Sequence, residues 1–248
     1  MANIDGQFTR PRWAPVLEGS AVAAFFVLAS SLLVGVARAA DTPERIALLL
    51  AAALAGYLAA DFLSGCAHWF CDTFFDEQTP LLGPLLIAPF REHHHDPLAI
   101  TRHGFLELNG NSALVLLPVL AATWLWSSPA GSAALFLHGM VTAGGLALFA
   151  TNQFHRWAHE PQPPAVARWL QQRGWILAPE QHARHHRPPH AGAYCITAGW
   201  MNAPLDRLRF FPRCERMLRA LRSRVSGTGF QPVHVPDGTL PKIPKRAG

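Results

Sequence analysis

Charged residues are scarce in this sequence and make up only 15% of its 248 residues, whereas a soluble domain carries about 25%. Hydrophobic residues make up 50%, and the mean hydropathy is positive at +0.14. The sequence also lacks a Gly-rich phosphate loop and an internal repeat. These absences disfavour soluble, nucleotide-binding and solenoid proteins, and no nucleic-acid partner is expected. A single-domain membrane protein is expected instead.

Cysteine is rare as well, and the four residues present form no CxxC pair: Cys66, Cys71, Cys195 and Cys214. This pattern supports neither a zinc ribbon nor a disulfide scaffold, so reduced thiols facing a cytosol are expected. The N-terminal sequence MANIDGQFTRPRW has no apolar core and no small-residue cleavage site, so it does not predict a signal peptide. The first membrane segment is therefore expected to target the chain.

Long apolar stretches predict the membrane-spanning helices. Residues 19–37 carry no charge and approach the ~20 residues that a helix needs to cross a bilayer. Residues 46–60 are apolar, and this character continues to Phe70. Residues 108–155 contain no Asp, Glu, Lys or Arg. That last stretch is long enough for a helical hairpin that turns at 127–132, which makes four spans.

The third span has the weakest signal, because its strictly apolar part, 113–126, is short and contains Pro118. Four spans are nevertheless favoured, because only an even number places all histidine clusters on one side. Of the 21 Lys and Arg residues, only Arg38 and Arg45 then fall on the far side. The positive-inside rule therefore predicts that the histidines face the cytoplasm. The expected fold is an all-α integral membrane helical bundle.

The remaining segments complete the expected organisation. Residues 1–18 are interpreted as an N-terminal cytoplasmic segment and 19–206 as the membrane domain. Within that domain, 81–90 is apolar but too short and Pro-broken to cross, so an interfacial or re-entrant piece is expected. Residues 207–224 form a basic amphipathic stretch suited to anionic headgroups. The Gly/Pro-rich residues 225–248 are interpreted as a disordered tail.

Histidine is the distinctive residue of this chain. Eleven of the 13 histidines fall in four clusters between or just beyond the apolar stretches: His68; His93, His94, His95 and His103; His155 and His159; His182, His185, His186 and His190. Neutral imidazole is the commonest nitrogen ligand for iron, copper and zinc. The clusters therefore predict a polynuclear metal site at a membrane surface.

Spacing within the clusters suits ligation from helices. His155 and His159 are four residues apart at the end of the fourth span, so both rings project from one face. His68 and Asp72 have the same spacing at the end of the second span. Asp72 is interpreted as a metal ligand or, preferably, as a carboxylate that fixes a ring tautomer.

Two further patterns suggest two metals. In the HxxHH pattern, His182 and His185 are expected on one face with His186 beside them, which suits two ligands to one metal and one to its neighbour. His93 and His94 are adjacent and cannot share a helix face. They can instead reach two metals about 3.5 to 6 Å apart.

Several other polar residues are left open by the sequence. His103 and His190 are equally compatible with ligation and with none. Asn109 either caps the third span or contacts the site. His138 lies inside the fourth span and is interpreted as a packed helix histidine. Asp61 lies inside the second span, where a structural role and a substrate contact are both open.

Four segments, DFLSGCAHWFCDT, PFREHHHDPLAITRHGFLELNGN, NQFHRWAHE and HARHHRPPHAGAYCITAGWMNAPLD, together resemble the Kua, or plasmanylethanolamine desaturase, family of membrane lipid desaturases. The resemblance covers residues 61–206 in order. It implies a membrane desaturase that holds two non-haem iron ions through histidines. One branch of the family forms the vinyl ether bond of plasmalogens, and a plant branch desaturates an acyl chain of phosphatidylglycerol.

The resemblance also implies a ligand set, read from the family's NxxHxWxH, HxxHH, HWxxD and REHH elements: His68, His93, His94, His155, His159, His182, His185 and His186. His103 and His190 stand at family positions, whereas His95 stands at a variable one and is not carried over. Glu180 and Gln181 stand where the family has a basic residue. No catalytic residue is implied beyond the metal ligands.

The expected activity is O2-dependent conversion of plasmanyl (alkyl ether) phospholipid to plasmenyl (vinyl ether) phospholipid. Two electrons would come from a donor such as cytochrome b5 or ferredoxin. Acyl-lipid desaturation and lipid hydroxylation at the same site remain alternatives. A membrane haem carrier is disfavoured because only His138 lies deep in a span. A metal transporter or zinc store is disfavoured because the spans carry few polar ligands.

Overall fold

A computed structural model describes residues 11–74, 79, 83, 87–126 and 131–226. Its described part is all-helical: α1 (Ala14–Ala39), α2 (Pro43–Phe74), α3 (Ala88–His95), α4 (Ala99–Arg102), α5 (Phe105–Leu125), α6 (Ser132–His159), α7 (Ala165–Gln172), α8 (Pro179–His185), α9 (Asn202–Arg207) and α10 (Phe210–Ser226). The expected all-α class is confirmed. The first ten residues, most of 81–86, the expected turn at 127–130 and the tail beyond 226 lie outside the described residues.

Four helices, α1, α2, α5 and α6, are long and apolar enough to cross a membrane, which confirms the expected four-span bundle. Helix α5 begins at Phe105, before the strictly apolar part that the sequence marks. The polar residues of its first turns are accommodated because Asn109 is buried and its Nδ2 donates to the Phe105 carbonyl at 3.0 Å. Pro118 lies inside α5 and has no backbone N–H to donate. A membrane helix tolerates this because neighbouring helices can satisfy the carbonyl group that loses its partner.

The central element of the bundle is α6, which packs against α2 on one side and against α5 and α1 on the other. The contact between α2 and α6 is close at Gly56 and Gly144. A Cβ atom on Gly56 would lie only 2.8 Å from the backbone nitrogen of Gly144, so the helices meet backbone to backbone. This approach brings together the histidine-bearing ends of α2 and α6.

Apolar side chains fill the other half of the bundle, between α1, α5 and α6. Phe25 of α1 is fully buried and stacks on Phe149 of α6, with ring centroids 4.2 Å apart. Leu32, Leu116 and Leu120 pack in the same cluster. This packing fixes α5 against α6 and therefore fixes the direction in which both helices leave the bundle.

The topology places the histidine-bearing ends on one side. A short connection, 40–42, joins α1 to α2, and 126–131 joins α5 to α6 at the same end of the bundle. The opposite end receives the last turns of α2 and α6, the start of α5, and the short helices α3, α4, α7 and α8. All four cysteines lie in the described residues, and no disulfide joins them.

The chain divides into two compact units, 1–211 and 212–248. The first contains the bundle and all the histidine clusters. The second contains most of α10, onto which the basic amphipathic stretch largely falls. Within α10, Arg219 and Glu215 form an ion pair of 2.7 Å at four-residue spacing.

Candidate metal centre

Nine side chains from four helices converge at one end of the bundle and form two groups of metal-ligand atoms. The five-histidine group consists of His93, His155, His159, His182 and His186; the mixed group consists of His68, Asp72, His94 and His185. Within each group, one donor atom from every residue lies within 4.8 Å of the others. The eight histidines that the sequence marks as ligands are all present, and Asp72 joins them.

The five-histidine group centres on His182. Its Nε2 atom lies 2.8 Å from Nε2 of His155, 2.8 Å from Nε2 of His159 and 2.9 Å from Nε2 of His186. A neutral imidazole carries a single N–H, so these contacts cannot all be hydrogen bonds. Two ligand atoms at right angles about one metal, each ~2.1 Å from it, would be ~3.0 Å apart. The spacing therefore fits a bound cation.

The mixed group centres on the carboxylate of Asp72. Its Oδ2 atom lies 3.5 Å from Nε2 of His68, 3.4 Å from Nε2 of His94 and 3.5 Å from Nε2 of His185. The Nε2 atoms of His185 and His94 are 3.4 Å apart. Ligands in tetrahedral positions about a metal with ~2.1 Å bonds would be ~3.4 Å apart. The Asp72 oxygen is therefore spaced to bind one cation together with the three histidines, whereas the sequence favoured a role behind the ligands.

Neighbouring residues are divided between the groups as helix geometry requires. His93 and His94 point to different groups, and their ring centroids are 4.6 Å apart. On α8 the structure differs from the expected pairing, because His182 shares its group with His186 and not with His185. Four residues advance a helix by about one turn and 40°, so the first and last histidines of HxxHH stack on one face.

Backbone carbonyls orient two ligands of the mixed group. Nδ1 of His68 lies 3.2 Å from the carbonyl oxygen of Tyr194, and Nδ1 of His185 lies 2.9 Å from that of Gly192. A carbonyl only accepts, so each Nδ1 carries the proton and donates it. The lone pair of each ring is then on Nε2, where it faces the mixed group. Sequence reasoning missed these carbonyls, since a backbone acceptor leaves no side-chain signal.

Three polar residues left open by the sequence lie outside both groups. His190 lies behind His94, with their Nδ1 atoms 3.4 Å apart. Nδ1 of His103 pairs with Oε1 of Glu107 at 3.1 Å. Asn109 bonds to its own helix. His190 therefore contacts the ring of His94 from outside the mixed group. His103 and Asn109 make structural contacts with neighbouring residues of the chain.

His95 and His138 also lie outside both groups. The ring of His95 is exposed. His138 is buried in α6, where 17 residues separate it from His155, or ~25 Å along the helix. It lines an apolar cleft of about 560 Å³ between α5 and α6. That position agrees with a packed helix histidine.

The five-histidine group keeps its imidazoles neutral. Burial lowers the pKa of His93 and of His182 well below 6.5, and the neighbouring imidazoles lower it further by repelling a positive charge. The same two causes lower the pKa of His186 to about 3. Neutral rings have a free lone pair, so the ligands are ready to bind a cation at neutral pH.

Comparisons with known proteins identify the family of this chain. The family model described as lipid desaturase domain matches residues 57–227. Plasmanylethanolamine desaturase from Myxococcus xanthus is 44% identical over 86% of this chain and 76% of its own. Plasmanylethanolamine desaturase 1 from Mus musculus is 39% identical over 72% and 68%.

A plant relative is also similar: fatty acid desaturase 4, chloroplastic, from Arabidopsis thaliana is 36% identical over 66% of this chain and 50% of its own. No solved structure matches the chain. The matched region 57–227 contains every histidine of both groups and the ends of the helices that carry them. The chain therefore belongs to the lipid desaturase domain family and is a membrane-embedded oxidoreductase that desaturates lipid with O2, and it contains a histidine-rich cluster able to bind metal.

Proposed function

We propose that this chain converts plasmanyl phospholipid to plasmenyl phospholipid with two iron ions, one in the five-histidine group and one in the mixed group. The observation that carries the proposal is the presence of two complete donor groups side by side, with the rings of His93 and His94 only 4.6 Å apart. The ether substrate is supported by the two plasmanylethanolamine desaturases among the relatives, at 44% and 39% identity.

The donor set fits iron. Eight imidazole nitrogens and one carboxylate oxygen suit a divalent first-row metal, and nothing softer than nitrogen lies in either group. Iron in these groups would supply the O2-activating chemistry needed to remove hydrogen from an unactivated CH2. The overall reaction takes O2, two electrons and two protons, removes one hydrogen from each of two adjacent carbons and releases two water molecules.

The chain's own residues hold the centre and keep water away. His68, His155 and His185 are each at most 2% exposed, so their hydrogen bonds and charges act in a dry environment. Asp72 provides a negative charge that partly balances a divalent cation. The Nδ1 bonds of His68 and His185 hold those rings in the ligating tautomer.

We further propose that the centre faces the cytoplasm. Among the described basic residues of 11–211, only Arg38 and Arg45 fall at the other end of the four-span bundle, and the positive-inside rule then orients the histidines inward. The lipid headgroup would rest near the basic interface, with its alkyl chain in the bundle. Electrons would arrive from a carrier such as cytochrome b5 or ferredoxin.

Acyl-lipid desaturation is the second candidate. The plant relative, named a fatty acid desaturase, is 36% identical to this chain, so the same centre could act on an acyl chain. Lipid hydroxylation would use the same donor groups. Product analysis separates the three reactions, because each changes the lipid mass or its acid lability in a different way.

The deciding experiment is lipid mass spectrometry in a host that makes alkyl ether phospholipids but no plasmalogens. Expression of this chain should give an acid-labile lipid two hydrogens lighter than its precursor. His185→Ala should remove that product, because the mixed group loses a ligand. His95→Ala is the matched control; it should keep the product, since His95 is exposed and outside both groups.

Metal analysis of the purified protein accompanies the lipid assay. We expect about two iron atoms per chain and no Soret band, which separates non-haem iron from haem. A chain that holds about two iron atoms but forms no acid-labile lipid would contradict the ether assignment and direct the assay to acyl desaturation or hydroxylation. A chain that binds zinc in both groups would contradict the iron centre itself.

A further inference from the structure

A buried loop connects the metal ligands of α8 to the helix that carries His68. This loop, residues 192–201, has no regular helix or strand, yet Cys195, Thr197 and Ala198 have no exposed surface. It supplies the carbonyls of Gly192 and Tyr194 that orient His185 and His68. Both of these histidines belong to the mixed group. The position of the loop therefore decides where two of its three imidazole lone pairs point.

Asp61 holds that loop against α2. Its side chain has no exposed surface. Oδ1 accepts from the backbone N–H of Ala198 at 2.8 Å and of Gly199 at 2.9 Å, and Oδ2 accepts from that of Met201 at 2.9 Å. A carboxyl group inside a membrane span is unfavourable unless its oxygens are satisfied. These three donors satisfy it and tie it to one short piece of backbone.

The residues of α2 that bond the loop and those that belong to the mixed group lie on one face of the helix. Asp61, Ser64, His68 and Asp72 follow at offsets of three, seven and eleven residues, which is one face of a helix. Oγ of Ser64 accepts from the backbone N–H of Ile196 at 3.0 Å and donates to the Asp61 carbonyl at 2.7 Å. The loop therefore meets the same face that presents His68 and Asp72 to the metal.

Two glycines allow this close contact. A Cβ atom on Gly65 would lie 2.5 Å from Sγ of Cys195, so α2 needs a bare backbone there. Gly199 has φ +74, a left-handed conformation that favours glycine. Asn202 braces the loop from the other side, because its side chain bonds both the N–H and the carbonyl of Cys195, at 2.8 and 3.0 Å.

We propose that Asp61 is a positioning residue for the metal of the mixed group. By fixing the loop, it fixes the two carbonyls that orient His68 and His185, and so sets the binding strength of that group alone. The inference rests on the proposed two-metal centre. A residue that only held the fold together would weaken both groups equally, because His182 of the five-histidine group shares α8 with His185 and His186 is the C-cap of that helix.

The test is a metal titration of the full chain in detergent. Metal-free protein is titrated with Co(II) against a chelator, and the visible spectrum follows each binding step. Wild-type protein should bind two ions. The step that disappears in Asp72→Ala belongs to the mixed group, because Asp72 occurs only there.

For Asp61→Ala we expect the mixed group to bind Co(II) about 10- to 100-fold more weakly, the range typical of residues that orient metal ligands. Binding at the five-histidine group should stay within about 2-fold of wild type, because the carbonyls of the loop orient ligands of the mixed group. Asp61→Asn should fall between Asp61→Ala and wild type, since one amide oxygen can still accept two of the three bonds. Asp41→Asn is the matched control. It removes an exposed ion pair with Arg45 and should leave both steps unchanged.

Equal weakening of both steps, or no weakening of either, would overturn the inference. If neither Asp61 variant folds, Ser64→Ala takes their place, because it removes one bond to the loop. That variant should show a smaller loss confined to the mixed group, and wild-type binding there would overturn the inference. A wild-type chain that binds a single ion would instead refute the two-metal centre, and the inference with it.

Discussion

The two donor groups lie side by side and are held in different ways. In the five-histidine group, four ligands come as two pairs with four-residue spacing, one on α6 and one on α8 and its C-cap. Local helix geometry aligns the members of each pair. In the mixed group, the three histidines come from three different helices, and two of them depend on carbonyls of a distant loop. One group is therefore largely a product of local spacing, and the other of long-range contacts.

The two groups also differ in charge. The five-histidine group is neutral, and burial keeps it so by lowering the pKa of His93, His182 and His186. The mixed group carries the carboxylate of Asp72. A divalent cation in the mixed group would be attracted by that charge, whereas in the five-histidine group it would be bound by lone pairs alone. The two sites should therefore respond differently to substitution and to pH.

The largest effect is expected from His182→Ala, because Nε2 of His182 lies within 2.9 Å of three other ligand atoms. The five-histidine group should lose its metal, and desaturation should fall by more than the ~100-fold that substitutions behind the ligands cause. Metal content per chain and the yield of desaturated lipid measure both effects.

His103→Ala is the control for this substitution, because His103 lies outside both groups and pairs with Glu107. It should keep both metals and full activity. A His182→Ala chain that retained both metals would contradict the assignment of the five-histidine group. Loss of metal in His103→Ala would make His103 a ligand, which the sequence left open.

A smaller and one-sided effect is expected from Asp72→Asn. The amide keeps the shape of the carboxylate but removes its charge, so the mixed group should bind metal at least about 10-fold more weakly. The five-histidine group should be unaffected. Mössbauer spectra of iron-loaded protein should lose one of two signals. Loss of both signals together would show that the groups do not bind independently.

The smallest effect is expected from pH. His186 has a pKa of about 3 in the folded chain and an ordinary value of 6.5 when exposed. Between these values the unfolded state binds more protons than the folded state. The stability of the metal-free protein should therefore be complete above pH 6.5 and decrease as the pH falls toward 3.

Denaturation of the metal-free chain at several pH values between 7.5 and 4 measures this dependence. His186→Gln removes one titrating group from the five-histidine group, so its stability should change less steeply with pH. An unchanged slope in His186→Gln would contradict the assigned cause.

Much of the fold could be predicted because membrane spans are a compositional signal. The scarcity of charged residues indicated all four spans. The third span had the weakest signal, and it was predicted because an even number of spans places all histidine clusters on one side. The start of α5 at Phe105 escaped prediction, because burial of Asn109 against the bundle outweighs its polarity. The candidate ligands were also accessible from sequence, because histidines at four-residue spacing on a helix lie on one face whatever surrounds them.

Other parts of the site required the tertiary structure. Whether His182 shares a metal with His185 or His186 depends on where His93 and His94 lie, and these are about ninety residues away in the chain. The sequence left Asp72 open between a ligand and a carboxylate behind the ligands, and it joins the mixed group because His94 and His185 lie close to the same oxygen. The role of Asp61 was open in the sequence, since its partners are backbone N–H groups that carry no residue identity.

By itself, the sequence determined that this protein is a four-span helical membrane protein with a histidine-rich cluster, able to bind metal, at one end. Hydropathy and local spacing suffice for both, because they depend on neighbours within a few turns. The tertiary structure alone decided that the ligands divide into a five-histidine group and a mixed group, and that a loop clamped by Asp61 orients the second. That division depends on contacts between distant segments, where packing sets the direction of each lone pair.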